Sequence, residues 1–522
     1  MRNAALICCL LVPAPLASAA VSIEAIVVQD QLLPGSDQLP GFMSNETVRS
    51  NGPRDVSVNA EGDFVLAVTT GPEPLPDSVW YFYGSVGGAD PMALRRNTPI
   101  GGNEFRSFIS QVGIGTGGEL YYGAILQGTG TPASLWQDDT LLHKRGDAIT
   151  TGPLQGQFFG DGVGSVRVRG ANEVVWRQDY AATATGEDVG AALMSGIGAY
   201  NTLIKSGDPI GTLGSVADYS QAFTIFSNPE YSLSGTNILA ATSLDIGESV
   251  MLLNGAPLTY GSGGPLVTNT LIPAADGGLT EDGVPIEQLR FSSYWGVNDA
   301  GDYAFAGNVE LTTDGDTNVD GDILFSNGSI LYREGDVVDG VTLDDGQFED
   351  VKVLPDGRVA FIYADHLFVD DDLIVAPGDE VTLPDGSLSQ VFTMGVGKLT
   401  VAAQMAAGGD GLPVLYFGGR LGNDDSAMFR LVPEAPTGDF NGDGVVDAAD
   451  YTVWRDTLGS TTELAADANG NDIVDLADYD LWKANFQAAG FGAAIVPEPN
   501  SALLLVGLML PAASCGRRSV AE

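Results

Sequence analysis

Two short stretches near the end of the 522-residue chain set side-chain oxygens at a spacing that can hold a hard cation. Counted from Asp439, the residues Asp439, Asn441, Asp443, Asp447 and Asp450 stand at positions 1, 3, 5, 9 and 12, and Val445 stands at position 7. The set returns 28 residues later as Asp467, Asn469, Asn471, Asp475 and Asp478, with Ile473 at position 7. A tight loop with oxygens at those positions and a backbone carbonyl at the seventh is how one Ca²⁺ collects its six to eight ligands. Without a cation so many carboxylates in one loop would repel each other, so the sequence predicts one calcium per loop. Position 6 is Gly444 in the first loop but Asp472 in the second, and position 12 is Asp in both, one methylene shorter than Glu.

The elements that must position these loops follow them directly. Tyr451, Trp454 and Leu458 recur as Tyr479, Trp482 and Phe486. That spacing of i, i+3 and i+7 predicts two short helices packing through one apolar stripe. The duplicated loop–helix resembles the dockerin module, and the resemblance covers residues 433–492. It implies an all-α calcium-binding domain that docks onto a cohesin-like partner. In that family the partner is met by loop positions 10 and 11 and by a basic residue of the next helix. Here those residues are Ala448, Ala449 and Arg455, then Leu476, Ala477 and Lys483. The small apolar pairs differ from the hydroxyl-bearing pairs of cellulosomal dockerins.

Lys plus Arg number 23 against 68 Asp plus Glu, a net charge of −45. Nucleic acid is excluded as a natural partner because its phosphates would be repelled. Apolar residues are 44% of the chain and glycines number 69, which describes a packed, turn-rich protein rather than a disordered acidic one. Residues 1–20 read as a secretory signal: Arg2, an apolar run from Ala4 to Val12, and an Ala17-Ser18-Ala19 cleavage site. Cys8 and Cys9 would leave with it, and Cys515 alone would remain, so no disulfide is expected.

Residues 21–432 carry a β signal. Short runs such as Phe64-Val65-Leu66-Ala67-Val68, Tyr303-Ala304-Phe305-Ala306 and Val359-Ala360-Phe361-Ile362 each follow a polar turn, NAEGD, NDAGD or LPDGR. A second strand pair recurs between them and ends in Gly-Asp, as in LWQDDTLLHKRGDAI, ILFSNGSILYREGDVV and HLFVDDDLIVAPGDEV. Four strands per unit with no helix predict a β-propeller of six or seven blades; a pair of long β-sandwiches is the alternative. The units also loosely resemble repeats of secreted bacterial proteins sharing this C-terminal ending.

No catalytic constellation stands out. The chain has two histidines, His143 and His366, both beside repeated hairpins, where a turn or core role is expected. There is no G-x-S-x-G, H-E-x-x-H or Walker loop, and Gly261-Ser262-Gly263-Gly264 takes the place of a Gly-Asp hairpin end. One further acidic run, Asp314, Asp316, Asn318, Asp320 and Asp322, alternates as an extended loop converging on calcium would, but position 6 is Val319 and position 12 is Phe325, so no EF-hand closes.

Residues 495–522 resemble a PEP-CTERM sorting signal: Pro497-Glu498-Pro499, an apolar run from Ala502 to Cys515, then Arg517 and Arg518. The resemblance implies transient membrane insertion, cleavage by an exosortase and delivery to the envelope or matrix. A helix of that run would span roughly 21 Å against a core of about 30 Å, short for a permanent anchor. The arginines favour a cytoplasmic tail. The expected protein is therefore exported and surface-sorted, a non-catalytic binding or assembly component. The alternative is a secreted polysaccharide hydrolase with its site on the β domain.

Overall fold

The computed structural model describes residues 21–32, 47–59, 63–70, 78–85, 93–95, 105–108, 112–115, 117–126, 133–169, 173–220, 226–278, 280–281, 284–285, 287–312, 321–344, 346–394, 399–405, 413–433, 437–441, 446–471 and 473–486. They belong to two compact units divided at Glu434.

The first unit is a succession of largely antiparallel sheets, six of them built on four strands in chain order, here A to D. Blade 1 is Val48–Val58, Asp63–Thr70, Ser78–Ser85 and Ala93–Arg95. Blades 2, 3 and 4 occupy residues 105–144, 158–205 and 227–257; blades 5 and 6 occupy 287–333 and 348–375. Blade 7 takes Thr400–Met405, Pro413–Leu421 and Ser426–Pro433, and its fourth strand is the N-terminal Val21–Val28, paired antiparallel from Val21↔Pro433 to Val28↔Ala427. The first described strand thus covers the edge of Ser426–Pro433 in the last sheet, and Glu380–Thr382 pairs parallel with it at Glu24↔Thr382, which makes this sheet six-stranded.

Seven apolar clusters join these sheets face to face. Between blades 5 and 6, Ala304, Ala306 and Leu324 meet Val351, Phe361 and Phe368. On the opposite side of blade 5, Phe305, Ile323 and Phe325 meet Leu239 and Met251 of blade 4. The last cluster packs Tyr416 and Met428 of blade 7 on Val56, Phe64 and Leu66 of blade 1. Seven sheets joined by seven interfaces form a closed ring, so this unit is a seven-bladed β-propeller. The closure also explains the sequence pattern. Blade strands are buried on both faces, so they read as continuous apolar runs rather than alternating ones. Rings on one face, such as Phe305 stacked on Phe325 at 4.9 Å, are matched by alanines on the other, which leave room for the next blade's rings.

The turns divide by face. At the A–B and C–D end, two-residue turns interlock with the adjoining strands. Asp138, Asn254, Asn327 and Asp370 have φ of 49°, 53°, 44° and 47°, and each side chain accepts the first amide of strand B, from Leu120, Ile238, Tyr303 and Val359. Asp and Asn tolerate positive φ and can accept that bond, which is why they recur there. At the opposite end, each Gly-Asp closes strand D. Asp147, Asp208, Asp336 and Asp379 accept the amide three residues back, at 2.8–3.0 Å, while the glycine before each has φ between 84° and 102°. At Gly261-Ser262 the missing aspartate is replaced by buried Asp276, which accepts the Ser262 amide and hydroxyl, so this segment is a turn, as its sequence position indicates.

Candidate functional site

The second unit is built on two helices, α1 (Ala448–Thr457) and α2 (Leu476–Phe486). Its core repeats by halves: Val446 and Trp454 from the first, Val474 and Trp482 from the second, with Phe440 and Ala466. Asp447 caps α1 by accepting the Ala449 amide at 2.6 Å, and Asp475 caps α2 through Ala477 at 2.7 Å. The position-12 aspartates are wholly buried. One oxygen of Asp450 accepts the amides of Phe440 and Asn441 at 2.8 and 3.0 Å, and the other accepts that of Asp447 at 2.7 Å. Asp478 does the same toward Asn469 and Asp475, at 3.2 and 2.7 Å. The shorter aspartate therefore ties the two ends of its own loop together. Helix α1 differs from expectation at one place. It stops at Thr457, and Leu458 is 51% exposed rather than packed, because Gly459 turns the chain, with φ of 85°, so that its amide reaches the Val474 carbonyl.

In the second loop the oxygens gather around one residue. The Asn471 amide is shared by Asp467 Oδ1 at 3.2 Å and Asn469 Oδ1 at 3.0 Å, and Ile473 donates its amide to Asn471 Oδ1 at 3.0 Å. In the first loop Asp439, Asn441, Asp447 and Asp450 are described, whereas Asp443 and Val445 lie outside the described residues. No ion pair reaches Asp450 or Asp478 among the described residues, so two buried carboxylates in this unit lack a cation of the protein's own. The donor set is all oxygen, which suits calcium or magnesium rather than a soft metal. Among the described residues no three carboxylates, imidazoles or thiols already stand together as a metal cluster. The six residues assigned to partner contact, Ala448, Ala449, Arg455, Leu476, Ala477 and Lys483, are all exposed; Leu476 is 67% so, and Arg455 pairs with Asp456.

On the propeller, the B–C and D–A end of blade 5 holds a cavity of about 510 Å³ lined by Glu287, Leu311, Asp322, Arg333, Glu334 and Asp344 among others. Glu287, 1% exposed, takes both arms of Arg333 at 2.6 and 2.7 Å. The Asp322 carboxyl is pushed up, first by burial and then by Glu334, against the pull of the Asn308 amide. Asp322 is the one member of the alternating acidic run that is described; Asp314, Asp316, Asn318 and Asp320 lie outside the described residues. An ion pair joins Lys352 on strand A of blade 6 to Glu230 on strand A of blade 4, at 3.1 Å. Sequence reasoning missed both ion pairs. With three acids for every base, composition says that each base finds an acid but not which one.

Both histidines are structural in placement. His143 is 3% exposed, stacks on Phe159 at 3.7 Å and meets Gln178 Oε1 at 3.0 Å; burial pulls its pKa down to about 4. His366 bonds the Ala364 carbonyl at 2.7 Å in a turn. The signal segment, the Pro497-Glu498-Pro499 motif, the apolar run and Arg517-Arg518 lie outside the described residues, and among those described no helix is long and apolar enough to cross a membrane.

No protein-family model matches the chain, and none of the curated proteins does. Among solved structures the chain overlaps the Dos1 propeller at 10% identity and a TM-score of 0.33, over 74% of this chain and 94% of that one. It overlaps the Penicillium chrysogenum alpha-L-arabinanase complexed with arabinobiose at 11% identity and 0.31, over 79% and 98%. The third is the β-propeller domain of the Trilobed protease from Pyrococcus furiosus, of open velcro topology, at 8% identity and 0.34, over 72% and 97%. The assignment of this chain as a propeller rests on the closure of its own seven sheets.

Proposed function

We propose that this is an exported, surface-sorted, non-catalytic assembly protein: a seven-bladed propeller that offers a binding surface, carried with a calcium-ordered docking module. The observation that carries the reading is the duplication of the loop-closing, capping and core contacts between the two halves of the C-terminal unit. Each half closes an oxygen-rich loop on a buried aspartate, caps a helix with another, and leaves the helix start bare for a partner. Two Ca²⁺ ions would supply the counter-charge that the buried carboxylates lack. The first loop would offer Asp439, Asn441, Asp443, Val445, Asp447 and Asp450, and the second Asp467, Asn469, Asn471, Ile473, Asp475 and Asp478. Ala448, Ala449, Leu476 and Ala477, with Arg455 and Lys483, would meet a cohesin-like protein. An exosortase-type enzyme would process the sorting signal.

The test is retention of envelope and secreted proteins by the mature chain in calcium, in chelator, and with Asp439 and Asp467 both changed to Ala. One protein held only by the unaltered chain in calcium supports docking. Equal retention in all three lanes refutes it.

A hydrolase with its site on the propeller is the second reading, favoured by one observation: Asp322, its carboxyl raised, sits with Glu334 in the blade 5 cavity, and glycoside hydrolysis uses a raised acid beside a second carboxylate. Release of reducing ends from a polysaccharide panel, abolished by Asp322→Asn, would establish it.

A further inference from the structure

We propose that Trp454 and Trp482 are crossed positioning residues, each holding the calcium loop of the opposite half. The inference rests on the calcium reading above. Trp454, on the first helix, donates its indole N–H to the carbonyl of Asp475 at 2.7 Å, in the second loop. Trp482, on the second helix, donates to the carbonyl of Asp447 at 3.0 Å, in the first loop. Asp447 and Asp475 are the position-9 residues, where each loop becomes a helix. The amide of each is already fixed by the buried aspartate of its own loop, and its side chain by the cap of its own helix. The indole supplies the remaining restraint, on the carbonyl, and it comes from the other half. With amide, carbonyl and side chain all held, the position-9 carboxylate keeps one orientation toward its loop.

The rings reinforce the crossing. Trp454 lies 4.9 Å from Tyr479, Tyr451 lies 5.4 Å from Trp482, and both indoles are almost wholly buried. Neither helix can shift without moving the other half's loop. Occupancy of one loop is thereby transmitted to the other, and the unit takes up its two cations as a coupled pair rather than as independent sites.

The experiment uses the full chain and calcium itself, with one loop disabled at a time by Asp439→Ala or Asp467→Ala. Phe replaces each Trp, which keeps a ring and deletes the donor. With only the second loop intact, Trp454→Phe weakens calcium binding about five- to tenfold and Trp482→Phe less than about twofold, the worth of one buried hydrogen bond. With only the first loop intact the order reverses. Larger losses in the loop of the same half, or equal losses in both, overturn the crossing. A chain that binds no calcium at all removes the calcium reading instead. The crossing is then decided by ¹⁹F NMR of 5-fluorotryptophan-labelled protein. Asp478→Asn moves the Trp454 signal and Asp450→Asn moves that of Trp482 if the contacts cross; the inverse pattern, or no movement, refutes them.

Discussion

The propeller turns and the C-terminal loops are both built on repeated aspartates, and the two sets are satisfied differently. In the propeller, Asp138, Asp147 and Asp370 each spend an oxygen on a backbone amide and remain only half-buried. In the C-terminal unit Asp450 and Asp478 also accept amides, but they are buried and no base of the chain pairs with them among the described residues. The same residue type thus serves two tasks. A half-buried turn acid keeps part of its hydration when it ionises, whereas a fully buried one must find a counter-charge or strong hydrogen bonds.

The largest effect expected from this contrast is on metal removal. In excess chelator the amides of 448–457 and 476–486 should lose their protection from hydrogen exchange, while blade amides such as those of Val359–Tyr363 keep theirs. Equal protection with and without calcium would break the contrast at its root. Next comes Glu287, one of the propeller's buried acids. Arg333→Ala takes the guanidinium away from buried Glu287 and should cost about 3–5 kcal/mol in denaturant unfolding, whereas replacing both with Met should cost far less. A comparable loss for the double variant would mean that the ion pair itself, and not the burial of the Glu287 charge, carries the stability.

Acid provides a third measurement. His143 titrates near 4 when folded, against 6.5 for the ordinary imidazole. As pH falls below 6.5 the unfolded chain takes up a proton that the folded chain refuses. Stability from this residue is full above pH 6.5 and lost by pH 4, about 3 kcal/mol in all. The His143→Phe variant should lack that slope, and the difference between the two profiles isolates it from the carboxylates. The smallest effect belongs to the half-buried turn acids. Asp370→Asn keeps the acceptor for Val359 and should lie within about 0.5 kcal/mol of the parent. Asp370→Ala loses the acceptor at a positive φ and should cost about 1–3 kcal/mol by urea midpoint.

Much of this was legible in the chain because local chemistry set it. The NAEGD- and LPDGR-type turns, the Gly-Asp closures and the apolar runs are short-range patterns, and they predicted four-stranded units in succession. The spacing of Asp439 to Asp450 was read only as a set of calcium ligands; that Asp447 caps a helix and Asp450 closes its loop came from the structure. Leu458 was misread because periodicity cannot see that Gly459 leaves the helix for a bond to Val474.

What only the tertiary structure decided is long-range. The count of seven depends on Val21–Val28 returning to Ser426–Pro433, a pairing across some four hundred residues that no local pattern encodes. The partners Glu287–Arg333 and Lys352–Glu230 depend on which strands the ring brings together, and an excess of acids makes every base ambiguous in sequence. The crossed indoles depend on two similar halves packing face to face. Their tryptophans were visible as core residues, but the direction of an N–H is fixed only once the opposite loop stands beside it.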